Sequence, residues 1–424
     1  MKIKFIIVFL LIPALGFCQI DFDEFFLDKS LRFDFLLRGN NKDIIVYDQQ
    51  MKQEPHWGGS KINTIDNFEY GSYRFRVFDK ESGNLIFSKG FSTLFQEWQT
   101  TVEAKELNKV FYQAVIFPFP KNKVRLEIQA RQWEGNFKTL FTTNISPKDY
   151  SIIKEQREKF EIKELLANGN PEKKVDVVFL AEGYTKKELD KFVKDANRMV
   201  NYLFSVPPFS GQKEKFNFYA VLTPSEDSGT DIPEERIYKN TLFNSTFYTF
   251  DIPRYLTTSD MKSIYDAASV VPNDQICLLV NSERYGGGGF YNFVNVCTSD
   301  NNLSEKVFVH EFGHGFAGLA DEYYSSAVAY ENFYNLEVEP WEPNITTLVD
   351  FESKWKGLLD KTIPVPTPRS LKYENSLGVF EGGGYMSKGI YSPVMDCRMK
   401  SNVTEDFCPV CKKAIIKAIE YYTK

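Results

Sequence analysis

The stretch 307–323 reads V-F-V-H-E-F-G-H-G-F-A-G-L-A-D-E-Y and contains H-E-x-x-H as His310, Glu311 and His314. On a helix, residues four apart share one face. Two neutral imidazoles at that spacing can hold one zinc ion. Glu311 then lies beside the metal rather than on it. There it can take a proton from an attacking water and pass it to a departing amine. The chain has only three histidines, and two of them stand in this motif, which makes a chance match improbable.

A third ligand is needed, and the sequence after the motif limits where it can come from. Asp321 follows His310 by eleven positions, so an unbroken helix returns it to the same face. That helix would also carry it roughly 10 Å beyond His314, at about 1.5 Å per residue. Metal–ligand bonds near 2 Å cannot bridge such a gap. The chain must therefore turn back, and Gly318 is the residue that permits it by ending the helix in a left-handed conformation. Glu322 is the rival to Asp321. Around the motif, Val307, Phe308, Val309, Phe312 and Phe316 give the helix an apolar back, and Ser304 with Lys306 suits its start.

H-E-F-G-H-G-F-A-G-L-A-D-E-Y resembles the signature of the immunoglobulin-A-peptidase family of secreted bacterial metallopeptidases. The resemblance extends to R-Y-G-G-G-G-F-Y-N (284–292), to the run from Glu381 to Met399, and to F-C-P-V-C (407–411). It implies a metzincin-like catalytic domain, one catalytic zinc ion, peptide-bond cleavage and a methionine turn beneath the metal. Met395 and Met399 are the candidates for that turn. The spacing from glycine to Asp321 matches the metzincin layout, with aspartate where ordinary metzincins carry histidine one place earlier.

These residues need a scaffold, and 424 residues suffice for two domains. A net charge of −6 with no basic stripe sets nucleic acid aside. Residues 1–18 read as a signal peptide: Lys2 and Lys4, then an apolar run too short to span a bilayer, with cleavage near Cys18/Gln19. The rival is a lipoprotein signal anchored at Cys18, which Phe17 argues against. A secreted or periplasmic chain with no membrane span follows. Five cysteines would remain, and Cys397 with Cys408 or Cys411 is the expected disulfide. A structural zinc at C-x-x-C would need two further ligands.

Residues 19–165 show short alternating runs at 30–38, 42–49, 71–79, 84–92, 110–118, 123–130 and 137–145, separated by turn residues. This predicts an N-terminal antiparallel β-sandwich. Trp57, Trp98 and Trp133 are core or edge aromatics, or the lining of a glycan or peptide groove. Residues 150–174 are charged and helix-prone and serve as a linker. Residues 166–424 then predict a metzincin-like α/β zinc-protease domain, so the fold class is α+β. Its strands are expected near 174–181, 216–222 and 275–280, with helices over 186–204 and 259–268. Gly286 to Gly289 would let backbone approach closely, and 290–296 would form a sheet edge able to pair with an extended substrate. Residues 327–369 wrap the cleft, and Tyr385 or Tyr391 offers a donor to the oxyanion.

The resulting reading is a secreted zinc endopeptidase acting on protein or peptide. His310, His314 and Asp321 hold the metal, and Glu311 is the general base. The alternative is a catalytically silent or glycan-binding secreted protein that keeps the protease scaffold.

Overall fold

The computed structural model describes residues 20–155, 159–324 and 333–424. The signal-peptide reading of 1–18, with Cys18, and residues 327–332 of the 327–369 segment lie outside the described residues. Among the described residues, no helix is long and apolar enough to cross a membrane.

The fold is α+β, with two N-terminal sheets followed by an α/β part. β1 (Phe26–Gly39), β2 (Ile44–Glu54) and β5 (Lys109–Pro120) pair antiparallel in the order β5-β1-β2, and β8 (Ile152–Ile153) adds a short parallel strand beyond β2. β3 (Tyr73–Asp79), β4 (Leu85–Phe91), β6 (Val124–Arg131) and β7 (Phe137–Ile145) form the antiparallel order β4-β3-β6-β7. Phe117 of the first sheet packs 6.3 Å from Phe75 and 6.5 Å from Phe87 of the second. The inward residues of both sheets thus share one apolar core, as the alternating runs require.

The second part is a six-stranded sheet in the order β13-β14-β12-β10-β11-β9. At its centre β10 (Val175–Glu182) lies between β11 (Phe216–Leu222) and β12 (Gln275–Val280), parallel to both. Every residue of β10 is buried, consistent with its β-branched and apolar run. β9 (Glu161–Leu166) closes one edge antiparallel to β11. This corrects the helix-prone reading of residues 150–174. An edge strand with an exposed face can carry Glu and Lys without losing core packing.

Three helices cover one face of this sheet: Leu189–Leu203, Ser304–Ala317 and Pro409–Thr423. Phe308 of the middle helix packs 5.4 Å from Phe179 of β10. Helix Met261–Ala268 covers the opposite face, together with Ala114 of β5. A buried charge cluster ties that helix to the N-terminal sheets. Arg32 pairs with Asp34 at 2.8 Å, with Glu54 at 3.1 Å and with Asp266 at 2.7 Å.

At the other edge, the strand expected over 290–296 starts later, as β14 (Asn295–Thr298). The glycine run itself is the edge: β13 (Gly287–Gly289) pairs antiparallel with β14, and its outer side bridges Tyr255 at Gly287. Glycine is required there because an added Cβ at Gly287 would lie 2.9 Å from Glu311 Oε1. The close approach expected of this run is an approach to the H-E-x-x-H helix.

Candidate metal centre and cleft

The helix Ser304–Ala317 places His310 and His314 one turn apart, with Nε2 atoms 3.1 Å from each other. Phe308, Val309, Phe312 and Phe316 are buried on its back, which fixes the rotation that turns the histidines outward, whereas Val307, expected there too, is buried on the cleft side against β13. Gly318 ends the helix with φ 64°, and its N–H donates to the His314 carbonyl at 3.0 Å. The chain then folds back. Asp321 Oδ1 comes to 3.0 Å from His310 Nε2 and 3.4 Å from His314 Nε2. Glu322 turns the opposite way, toward Cys411 and Asn344.

Each ring is oriented through its other nitrogen. His310 Nδ1 lies 2.9 Å from the Arg398 carbonyl, and His314 Nδ1 lies 2.6 Å from the Leu319 carbonyl. An Nδ1–H donated to a carbonyl leaves Nε2 with a free lone pair, the tautomer a metal ligand needs. Asp321 Oδ1 is buried, within ion-pair range of both rings, and accepts no hydrogen bond. Three electron-pair donors therefore converge within 4.8 Å. A tetrahedral ion with bonds of about 2.0–2.1 Å sets ligands roughly 3.3 Å apart, close to the observed spacings. The residues fit a divalent cation with nitrogen and oxygen ligands.

Charge at the site follows from this crowding. Burial would push the Asp321 carboxyl up, but His314 and His310 outweigh it and hold it well below its usual range. Burial opposes a charged His314, yet Asp321 and Glu311 push it up to about 9. Protons thus occupy the donor set when no cation does, and cation binding must release them. Asp321 is fixed by its second oxygen, which accepts from the Tyr385 hydroxyl, and by its carbonyl, which accepts from Gly384 N–H at 2.8 Å. Burial and the Asp321 charge raise Tyr385 well above the ordinary tyrosine value, so it stays a donor. Of the two expected tyrosines, Tyr385 is at the site, while the Tyr391 backbone pairs with Thr346.

Residues 163–374 and 369–419 match the family model described as IgA Peptidase M64, and residues 21–142 match the one described as Peptidase M64 N-terminus. The chain belongs to the IgA Peptidase M64 family. No curated protein matches it by sequence. The chain is thus a peptidase, with protein or peptide as substrate.

The donor set opens into a cleft of about 670 Å³. Tyr323, Phe333, Tyr334, Trp341 and Tyr385 form an aromatic lining of this peptidase's cleft, so the 327–369 segment does border it, through Phe333, Tyr334 and Trp341. Met395 also lines it, whereas Met399 is buried beneath the helix, its Sδ 2.9 Å from where a Cβ on Gly313 would stand. Glu311 faces β13. Its carboxyl is raised chiefly by burial, with His310 and His314 opposing and Asp321 reinforcing.

One wall had no signal in the sequence. Ser72, Ser92, Gln96 and Glu97 come from the N-terminal sheets and their connections, yet they line the same cleft. Glu97 accepts a hydrogen bond from the Tyr255 hydroxyl, and burial pushes it up to about 7. Neither Gln96 nor Glu97 stands in a motif. Only the packing of the two parts brings them to the site. Trp98, by contrast, is fully buried and donates its indole N–H to Glu103 at 2.7 Å, so it belongs to the core rather than to a glycan groove.

Proposed function

We propose that this peptidase is a secreted zinc endopeptidase in which His310, His314 and Asp321 hold one catalytic zinc ion and Glu311 is the general base. The observation that carries the reading is the convergence on one point of the cleft of two Nε2 atoms, whose rings are each held through Nδ1 on a carbonyl, and a carboxylate oxygen with no hydrogen-bond donor. A zinc ion bound there supplies Lewis acidity toward the scissile carbonyl and acidifies water toward neutral pH.

The chain's own groups do the rest. Glu311, whose carboxyl burial pushes above its ordinary value, accepts a proton from the attacking water and returns it to the departing nitrogen. β13 packs against that carboxylate and keeps it on the cleft side of the helix. Tyr385 donates its one hydroxyl proton to Asp321 and lines the cleft, so it would serve the developing oxyanion only by giving up that bond. Met399 supports the helix from below at Gly313. The aromatic residues and Gln96–Glu97 line the same cleft, the space an extended peptide would take.

The domain division belongs to the same proposal: a leader over 1–18, a sandwich over 19–165 and a catalytic unit over 166–424. β9 pairs with the catalytic sheet, which favours moving the 165/166 boundary a few residues earlier, to before Glu161. Glu311→Gln tests the mechanism. The variant is expected to keep wild-type zinc content and to lose at least about 10²-fold in kcat on a fluorogenic peptide pool. Full turnover in that variant would remove Glu311 from the mechanism.

A further inference from the structure

We propose that Cys397, Cys408, Cys411 and Glu322 form a second metal site, a structural zinc centre behind the cleft. One donor atom from each of the four lies within 4.8 Å of all the others, and all four residues are buried. The C-x-x-C pair lacked two ligands when read alone along the chain. Folding supplies them from two distant segments.

The disulfide expected between Cys397 and Cys408 or Cys411 is not formed, and all five described cysteines are free thiols. Cys397 and Cys411 Sγ stand 3.9 Å apart, whereas a disulfide needs about 2.05 Å. The separation suits instead two thiolates sharing a tetrahedral ion, where bonds of about 2.3 Å set sulfurs roughly 3.8 Å apart.

The surroundings are those of metal-bound thiolates. Cys408 N–H points at Cys397 Sγ at 3.2 Å, and Cys411 N–H points at Cys408 Sγ at 3.4 Å. Backbone donors aimed at sulfur stabilise the deprotonated ligand. Cys408 also caps the helix Pro409–Thr423, so that helix's N-terminus faces the cluster. Glu322 is fully buried. Its Oε1 accepts from Asn344 Nδ2 at 2.9 Å and from Cys411 Sγ at 3.2 Å, while Oε2 has no partner. Lys400 is within electrostatic reach of Glu322, but its ammonium donates to the Met395 carbonyl at 2.7 Å. Three thiolates and a carboxylate in a buried hollow match zinc in softness and geometry.

The centre would join the segments that build the catalytic site. Glu322 follows Asp321 directly. Cys397 precedes Arg398, whose carbonyl orients His310, and Met399, which packs beneath Gly313. Its role is structural, and it goes beyond the peptidase reading rather than resting on it.

Metal analysis of the full chain, expressed with zinc and purified without chelator, tests the proposal. Two zinc ions per chain are expected, and a thiol-specific mercurial should release only one of them to a coloured chelator. His310→Ala/His314→Ala should retain one zinc. Its cobalt-substituted form should show thiolate-to-metal charge transfer in the near ultraviolet. Cys408→Ser/Cys411→Ser, where it folds, should also drop to one. A histidine double variant with no zinc would overturn the proposal. So would a peptide map joining Cys397 to Cys408 or Cys411. Zinc held only by the thiols, and insensitive to histidine replacement, would uphold this site while defeating the catalytic one.

Discussion

Replacing Gly287 with alanine probes how closely β13 must approach Glu311, the proposed general base. An added Cβ would lie 2.8 Å from Val307 Cγ1, 2.9 Å from Glu311 Oε1 and 3.0 Å from the Val296 carbonyl. Ordinary contacts begin at about 3.5 Å, so the carboxylate must retreat by about half an ångström. Val307 stands one turn before Glu311 on the same helix and is pushed the same way. A misplacement of about 1 Å at reacting groups costs on the order of 10²-fold in rate, so a loss of about 10- to 100-fold in kcat is expected. The overpacking should cost about 1–3 kcal/mol of stability, leaving a folded chain. Steady-state cleavage of a fluorogenic peptide, with zinc content and a thermal melt on the same sample, reads all three quantities. Gly357→Ala is the control, because a Cβ there meets nothing within 4 Å. A folded, zinc-loaded Gly287→Ala chain with wild-type kcat would refute the placement of Glu311.

Two further predictions concern support around the site and between the two parts. Tyr385→Phe removes the hydroxyl that holds Asp321 and should weaken zinc binding about 10- to 100-fold in competition with a chelator. Unchanged affinity would mean that Asp321 does not depend on that contact. Arg32→Met leaves the buried Asp34 and Glu54 without their cation, while Asp266 keeps Lys52 and Lys262, and should destabilise the chain by about 3–5 kcal/mol. In the parent, burial opposes the Asp266 charge, but Arg32 and hydrogen bonds from Lys262 and Lys52 hold its pKa below the usual value. A depressed carboxyl stabilises the fold above its unfolded pKa, and that contribution fades only in acid. Burial already pushes Glu54 up to about 7 against the pull of Arg32; without Arg32 it binds its proton more tightly when folded, so stability should fall further as pH rises. The deficit against the parent should therefore be larger at pH 8 than at pH 5, and a flat difference in chemical denaturation would contradict this.

The chemistry-bearing helix was legible in the sequence because its signal is local. His310, Glu311 and His314 sit within five positions, and Gly318 announces the bend that returns Asp321. The N-terminal strands were legible for the same reason, since alternation is written residue by residue. Three features were not legible. β9 reads as helix because its exposed edge tolerates Glu and Lys. The Gln96–Glu97 wall arises only when the sandwich docks on the catalytic sheet. The partners of Cys408 and Cys411 lie 11 residues before Cys408 and 89 residues before Cys411, so C-x-x-C alone could not name them. The glycine run was a middle case: close approach was expected of it, but the sequence did not name Glu311 as what it approaches.

The central claim is that His310, His314 and Asp321 hold a cation without which this peptidase does not cut. Peptide turnover by the chelator-stripped full chain, followed as zinc is added back, tests it most directly. The account predicts no turnover after stripping and recovery at stoichiometric zinc. Undiminished cleavage by a chain shown to carry no metal would contradict it.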